Sequence, residues 1–156
     1  MPVLTGLCSG SNKPITDVAL IPLPPMVGEV AAVAQTHAFD VTPLRALLDT
    51  GADGTSISST VARTQNLINY GKRTVIGFGG SGLHNTWGTY IGFLFGQDAD
   101  FEGDYHKAKG LFMFPEPQLA VEMPPNGWFD VIIGRDILTH FDFRMFRGGR
   151  WELDLA

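Results

Sequence analysis

Leu47-Leu48-Asp49-Thr50-Gly51-Ala52-Asp53 sets an acid at the end of an apolar stretch and follows it at once with Thr-Gly. The leucines belong to a strand that the core would bury, and Asp49 stands where the chain must leave it. A carboxylate there is half withdrawn from water and held by backbone amides, a costly place for a charge unless its chemistry is used. Gly51 lets the backbone approach that carboxylate closely, and Thr50 offers a hydroxyl to brace it. The chemistry suggested needs two such acids, and the motif occurs once.

Two further segments belong with it. Val75-Ile76-Gly77-Phe78-Gly79-Gly80-Ser81-Gly82 holds four glycines within six residues. It cannot pack as a rigid strand, but it suits a mobile cover over a cleft. Val131-Ile132-Ile133-Gly134-Arg135-Asp136-Ile137-Leu138 reads as a buried strand ending in Gly-Arg and running into a short helical stretch. Asp49 alone has a plain structural reading, because a strand-end Asp often hydrogen-bonds a turn. A turn, however, accounts for neither the glycine-rich segment nor the buried Gly-Arg.

In order and approximate spacing the three segments resemble the retropepsin-like aspartic proteases, over about residues 44–143. That family has two apolar residues before Asp-Thr-Gly-Ala, a glycine-rich flap, and an apolar run before Gly-Arg-Asp or Gly-Arg-Asn followed by Leu. The resemblance implies an all-β, closed acid-protease fold with one or two short helices. It implies an endopeptidase acting on extended peptides or proteins, with apolar residues preferred in the central pockets. Asp49 would be the catalytic aspartate, and Thr50 and Gly51 would complete the loop whose hydrogen bonds tie two halves of the site together. Ala52 and Asp53 would line the cleft and contact the substrate backbone, beneath a flap tip running from Gly77, Phe78, Gly79 and Gly80 to Gly82. Gly134 would permit close strand packing beneath the active loop, and Arg135 would sit against that loop, paired with Asp53.

The mechanism so implied shares one proton between two carboxylates, one acting as base on a water while the other donates to the substrate carbonyl. No second Asp-Thr-Gly or Asp-Ser-Gly exists in the chain. An active enzyme would therefore be a symmetric homodimer with Asp49 of each subunit on the twofold axis, and a monomer would be inert. The competing reading is a non-catalytic dimerisation or peptide-binding module that kept the fold, which an intact Asp49-Thr50-Gly51 disfavours. A third is a processing enzyme specific for its own precursor. The chain departs from the short viral members in its longer N-terminal part and in a hairpin over 141–155, where those members end in one short swapped strand. This end is more similar to cellular and bacterial relatives, including the protease domain of DNA-damage-inducible proteins.

The elements that must position these residues are short. Residues 14–22 read as a first strand, followed by a loop rich in Pro, Gly and Ala from Pro22 to about Ala34, with strand resuming near Leu44. Residues 55–59 suit a short strand, after which Thr60 caps one or two helical turns through Gln65. Residues 73–95 suit two strands with a flexible tip, Ile91, Phe93 and Phe95 sharing a face. At the C-terminus, a three-residue turn over Arg147–Gly149 pairs Met145 with Trp151, Phe143 with Leu153 and Phe141 with Leu155. It sets Arg144 opposite Glu152 and asks Gly149 to take the left-handed position, whereas a two-residue turn would mix apolar and polar faces.

The 156 residues suit one domain spanning 1–156, with 44% hydrophobic and only 17% charged residues arguing against disorder. Nineteen glycines and ten prolines favour turns and short strands over long helices. The net charge is −5, and the weak cluster of Arg144, Arg147 and Arg150 reads as a solvated hairpin tip, so no nucleic-acid partner is expected. Cys8 is alone, which excludes a disulfide framework and favours a reducing, cytoplasmic setting. No apolar run is long enough to span a membrane. Asp98, Asp100, Glu102 and Gly103 imitate the start of a calcium loop, but Lys109 stands where a bidentate Glu is required. His37, His84, His106 and His140 show no ligand spacing, so neither metal nor other cofactor is expected. Phe78, Trp87 and Tyr90 read equally as substrate contacts and as sheet packing.

Overall fold

The computed structural model describes residues 2–8, 12–23, 42–77, 80–95 and 110–155. Within them run β1 (Val3–Leu7), β2 (Ile15–Pro22), β3 (Leu44–Leu48), β4 (Ser56–Ser58), α1 (Ser59–Thr64), β5 (Ile68–Gly77) and β6 (Gly80–Phe95). There follow β7 (Gly110–Met113), β8 (Gln118–Met123), β9 (Val131–Ile133), α2 (Arg135–Leu138), β10 (Asp142–Met145) and β11 (Arg150–Asp154). The all-β class expected from short, glycine-punctuated runs is the one that forms.

The main sheet closes on itself. Its strands follow the order β2-β3-β9-β4-β8-β6, and β6 then pairs back onto β2 from Val18↔Phe93 to Pro22↔Thr89. Closure leaves β2 without an open edge along its paired length, while β5 and β7 each pair only with β6. The length of β6 makes this possible. Residues 80–88 pair with β5, 86–89 with β8, 89–93 with β2 and 92–95 with β7. Val18, Ala46, Ile57, Ile91, Phe93, Val131, Ile133 and Ile137 fill the interior and are fully buried. Burying each of the larger ones stabilises the fold by about 1.5–3 kcal/mol relative to exposure.

A second sheet, β1-β11-β10, carries the chain ends. Its hairpin has the register that burial of one face requires, with Phe143↔Leu153, Arg144↔Glu152 and Met145↔Trp151. Gly148 and Gly149 both take positive φ, 86° and 80°, so two glycines share the left-handed turn expected of Gly149. Arg144 stands opposite Glu152, yet its guanidinium donates to Asp142 Oδ2 at 3.0 Å. Leu4, Trp151, Leu153 and Leu155 join the same core as the barrel residues. Phe141 locks the two sheets together, its ring meeting Phe93, Phe112 and Phe114 edge-on at 5.8, 5.8 and 5.9 Å.

Several local expectations are corrected. Residues 14–22 form a strand, but β1 precedes it, pairing Leu4 with Leu153 and Gly6 with Trp151. The N-cap of α1 is Ser58 rather than Thr60, and no side-chain cap bond is made. The helix starts early because β4 runs straight into it, with the Ser58 N–H already held by the Asp130 carbonyl at 2.9 Å. The hairpin expected from residue 73 begins at Ile68, its register shifting between Asn69 and Lys72, where Gly71 sits at φ 99°. The proline-rich loop beyond Leu23 and the acidic segment 98–103 lie outside the described residues.

Gly6 is where the terminal sheet is tightest. A Cβ there would stand 2.6 Å from the Trp151 ring, which is 2% exposed and has no room to retreat. Gly6→Ala is expected to lower stability by about 1–3 kcal/mol in urea unfolding, with the slope of the transition unchanged.

Candidate active site

Strands β3 and β9 run parallel and end together, Leu48 beside Ile133, while β4 pairs antiparallel with the other side of β9. Residues 49–55 must therefore cross the end of β9 to connect β3 with β4. The crossing is close. A Cβ on Gly134 would lie 2.5 Å from the carbonyl carbon of Gly54 and 2.6 Å from its oxygen, so only glycine lets the two backbones meet.

Backbone bonds fix the loop to the strand and helix beneath it. The Asp49 N–H donates to the Ile133 carbonyl at 3.0 Å, and the Arg135 and Asp136 N–H groups donate to the Ala52 and Asp53 carbonyls at 2.8 and 3.2 Å. Asp136 completes the clamp from its side chain. Its Oδ2 accepts from the Thr55 N–H at 2.8 Å, and its Oδ1 accepts from the Thr55 hydroxyl at 2.9 Å and the Ile137 N–H at 3.0 Å. Thr55, 1% exposed, also accepts from the Gly134 N–H at 3.3 Å.

Asp49, half-buried as a residue, stands just past β3 with its carboxylate bonding on the exposed side of the loop. Its Oδ1 accepts from the Gly51 N–H at 2.8 Å, and its Oδ2 takes no hydrogen bond from a described residue. One oxygen is thus oriented and the other left for a further partner. The brace within the chain is this amide rather than the Thr50 hydroxyl, which is exposed and bonds no described residue. Beyond it, the Arg135 guanidinium pairs with Asp53 across the loop, both side chains largely in solvent.

No family model and no curated protein matches this sequence. Among solved structures, the chain is similar to the crystal structure of a retropepsin-like aspartic protease from Rickettsia conorii, with a TM-score of 0.54. The match covers 97% of this chain and 90% of that one, at 8% sequence identity. The fold is retropepsin-like.

Within the retropepsin-like fold, the Asp49 loop and the Gly134-Arg135 turn meet, while the glycine-rich hairpin closes at Gly77↔Gly80. Phe78 and Gly79, expected at its tip, lie outside the described residues. Trp87 belongs to the barrel wall. It is 7% exposed, and its indole N–H donates to Glu122 Oε2 at 3.0 Å, beside the Asn85 amide on the same carboxylate. Tyr90 is half-buried opposite Ile21 of β2. Among the described residues no group of three His, Cys, Asp or Glu side chains could hold a metal, and no helix is long and apolar enough to cross a membrane.

Thr55, Asp136 and Glu122 were not legible as supporting residues. Only the Asp136 position within Gly-Arg-Asp offered a signal. The two ion-bearing supports on the loop should differ sharply in worth. Asp136→Ala leaves the buried Thr55 donors unpaired and is expected to cost about 1–3 kcal/mol of stability. Asp53→Ala removes a solvent-screened pair and is expected to cost less than about 1 kcal/mol. Chemical denaturation of the two variants checks the contrast, and equal losses would contradict it.

Proposed function

We propose that the protein is an aspartic endopeptidase, active as a homodimer in which Asp49 of each subunit contributes one carboxylate. The observation that carries this reading is the Asp49 carboxylate, oriented by the Gly51 amide on a loop pinned over β9, in a retropepsin-like fold. The single Asp-Thr-Gly supports the dimer, since half of the required chemistry is present in one chain. Thr50 and Gly51, exposed at the crest of the loop, are available to meet their counterparts.

Two carboxylates roughly 3 Å apart cannot both ionise, as is established for aspartic proteases, so the pair holds one proton. The ionised member takes a proton from a water, whose oxygen attacks the peptide carbonyl carbon. The protonated member donates to the carbonyl oxygen as it gains charge. Collapse of the resulting gem-diol returns the carbonyl, passes a proton to the amide nitrogen and breaks the C–N bond. The Gly51 amide holds Asp49 in place through these steps, and Ala52 and Asp53 contact the substrate backbone. The glycine-rich hairpin, closing at Gly77↔Gly80, would cover it.

Asp49→Asn is expected to lose on the order of 10⁴-fold in kcat on a peptide library at mildly acid pH while keeping its unfolding midpoint. Cleavage that persists in the variant would remove Asp49 as the catalyst. Sedimentation of the wild type is expected to show a dimer wherever cleavage is seen. Cleavage by a protein that is monomeric at every concentration would overturn the shared dyad.

A further inference from the structure

The glycine-rich hairpin has two different faces. Ile76 and Leu83 are 84% and 69% exposed, whereas their neighbours Val75, Gly82 and His84 are partly covered. Side chains alternate along a strand, so Arg73, itself exposed, lies on the same face as Val75, and its cross-strand partner is His84. The Arg73 Nη2 lies 3.5 Å from the point where a Cβ on Gly54 would stand. The hairpin therefore brings the Arg73 guanidinium up to the Asp49 loop at residue 54, while the His84 ring lies against Gly82 on the neighbouring strand.

The charge of Arg73 is not consumed there. It makes no hydrogen bond or ion pair with a described residue, although Asp136 Oδ2 lies 3.8 Å from the same point. That carboxylate already accepts the two Thr55 donors and the Ile137 N–H, and Asp53 is taken by Arg135. A fork of N–H donors thus borders the expected substrate path with its carboxylate neighbours already engaged. The His84 imidazole across the strand pair offers a further N–H in any protonation state.

We propose that Arg73, assisted by His84, selects a substrate carrying an acidic side chain beside Gly54. The inference rests on the reading of this cleft as a peptide-cleaving site and adds the substrate class. Guanidinium and carboxylate match in a two-pronged geometry, and such charge-assisted bonds are stronger than those between neutral groups. Apolar residues on either side of the cleaved bond remain compatible, because Arg73 reaches the loop at residue 54, five positions from Asp49.

The test uses fluorescent octapeptides with apolar centres and a single Glu, Gln or Lys scanned through the flanking positions. Binding is measured on Asp49→Asn protein, which leaves peptides intact, with and without Arg73→Glu or Arg73→Lys. With Arg73 present, at least one position is expected to favour Glu over Gln by about tenfold. Arg73→Glu should turn that preference to Lys, and Arg73→Lys should retain part of it. A Glu-to-Gln ratio unmoved by Arg73→Glu, an equal weakening of all peptides, or no binding of the Glu series would overturn the proposal. Cleavage by the wild type is read separately. Acid preference without cleavage would leave Arg73 standing and defeat the endopeptidase reading, and cleavage without acid preference would do the reverse.

Discussion

Strands β3 and β4 both pair with β9, so the chain between them has to pass over the end of β9, and it does so within van der Waals reach of Gly134. That crossing governs the rest of the site. It sets Asp49 at the rim of the barrel, halfway between core and solvent. It brings the Arg135 and Asp136 amides under the Ala52 and Asp53 carbonyls. A β-carbon at residue 134 would push the loop away from the strand end and displace Asp49 with it, because the atoms it meets are backbone rather than a flexible side-chain tip.

Supports around the crossing divide by environment. Asp136 and Thr55 form a part-buried network in which each polar atom has a partner, the arrangement that rigidifies a site. Arg135 and Asp53 lie in solvent, where an ion pair adds little stability but can hold two side chains at the cleft edge. The hairpin above is exposed along most of β5 and anchored at its base by the Glu122 bonds to Asn85 and Trp87. A pinned floor beneath an exposed arm suits a site that must admit an extended chain and then cover it.

Features governed by near neighbours in sequence were readable. The 141–155 register followed from which face had to be buried, and Gly148-Gly149 supplied the turn. The Leu-Leu-Asp-Thr-Gly and Ile-Ile-Gly-Arg-Asp segments combine apolar strands with residues that apolar strands rarely tolerate, so they stood out. What escaped depends on distant partners. Val3–Leu7 is a strand because Trp151 and Leu153 lie beside it, while its own Val3 and Leu7 remain exposed. Thr55 looked like an ordinary strand residue until Asp136, 81 positions away, closed on it. Nothing local to Arg73 in the sequence reveals that Gly54 lies beside it. β7 and β8 take their place through pairing with β6, and β8 with β4 as well.

The central claim is that one active site draws a carboxylate from each of two chains. Co-refolding wild type with Asp49→Asn in equal amounts, then measuring cleavage per total subunit of either kind, tests it most directly. If the dyad is shared and mixed dimers are inactive, total activity falls to about one quarter of that of the same amount of pure wild type. Activity of about one half, the value for subunits that each work alone, would contradict the account.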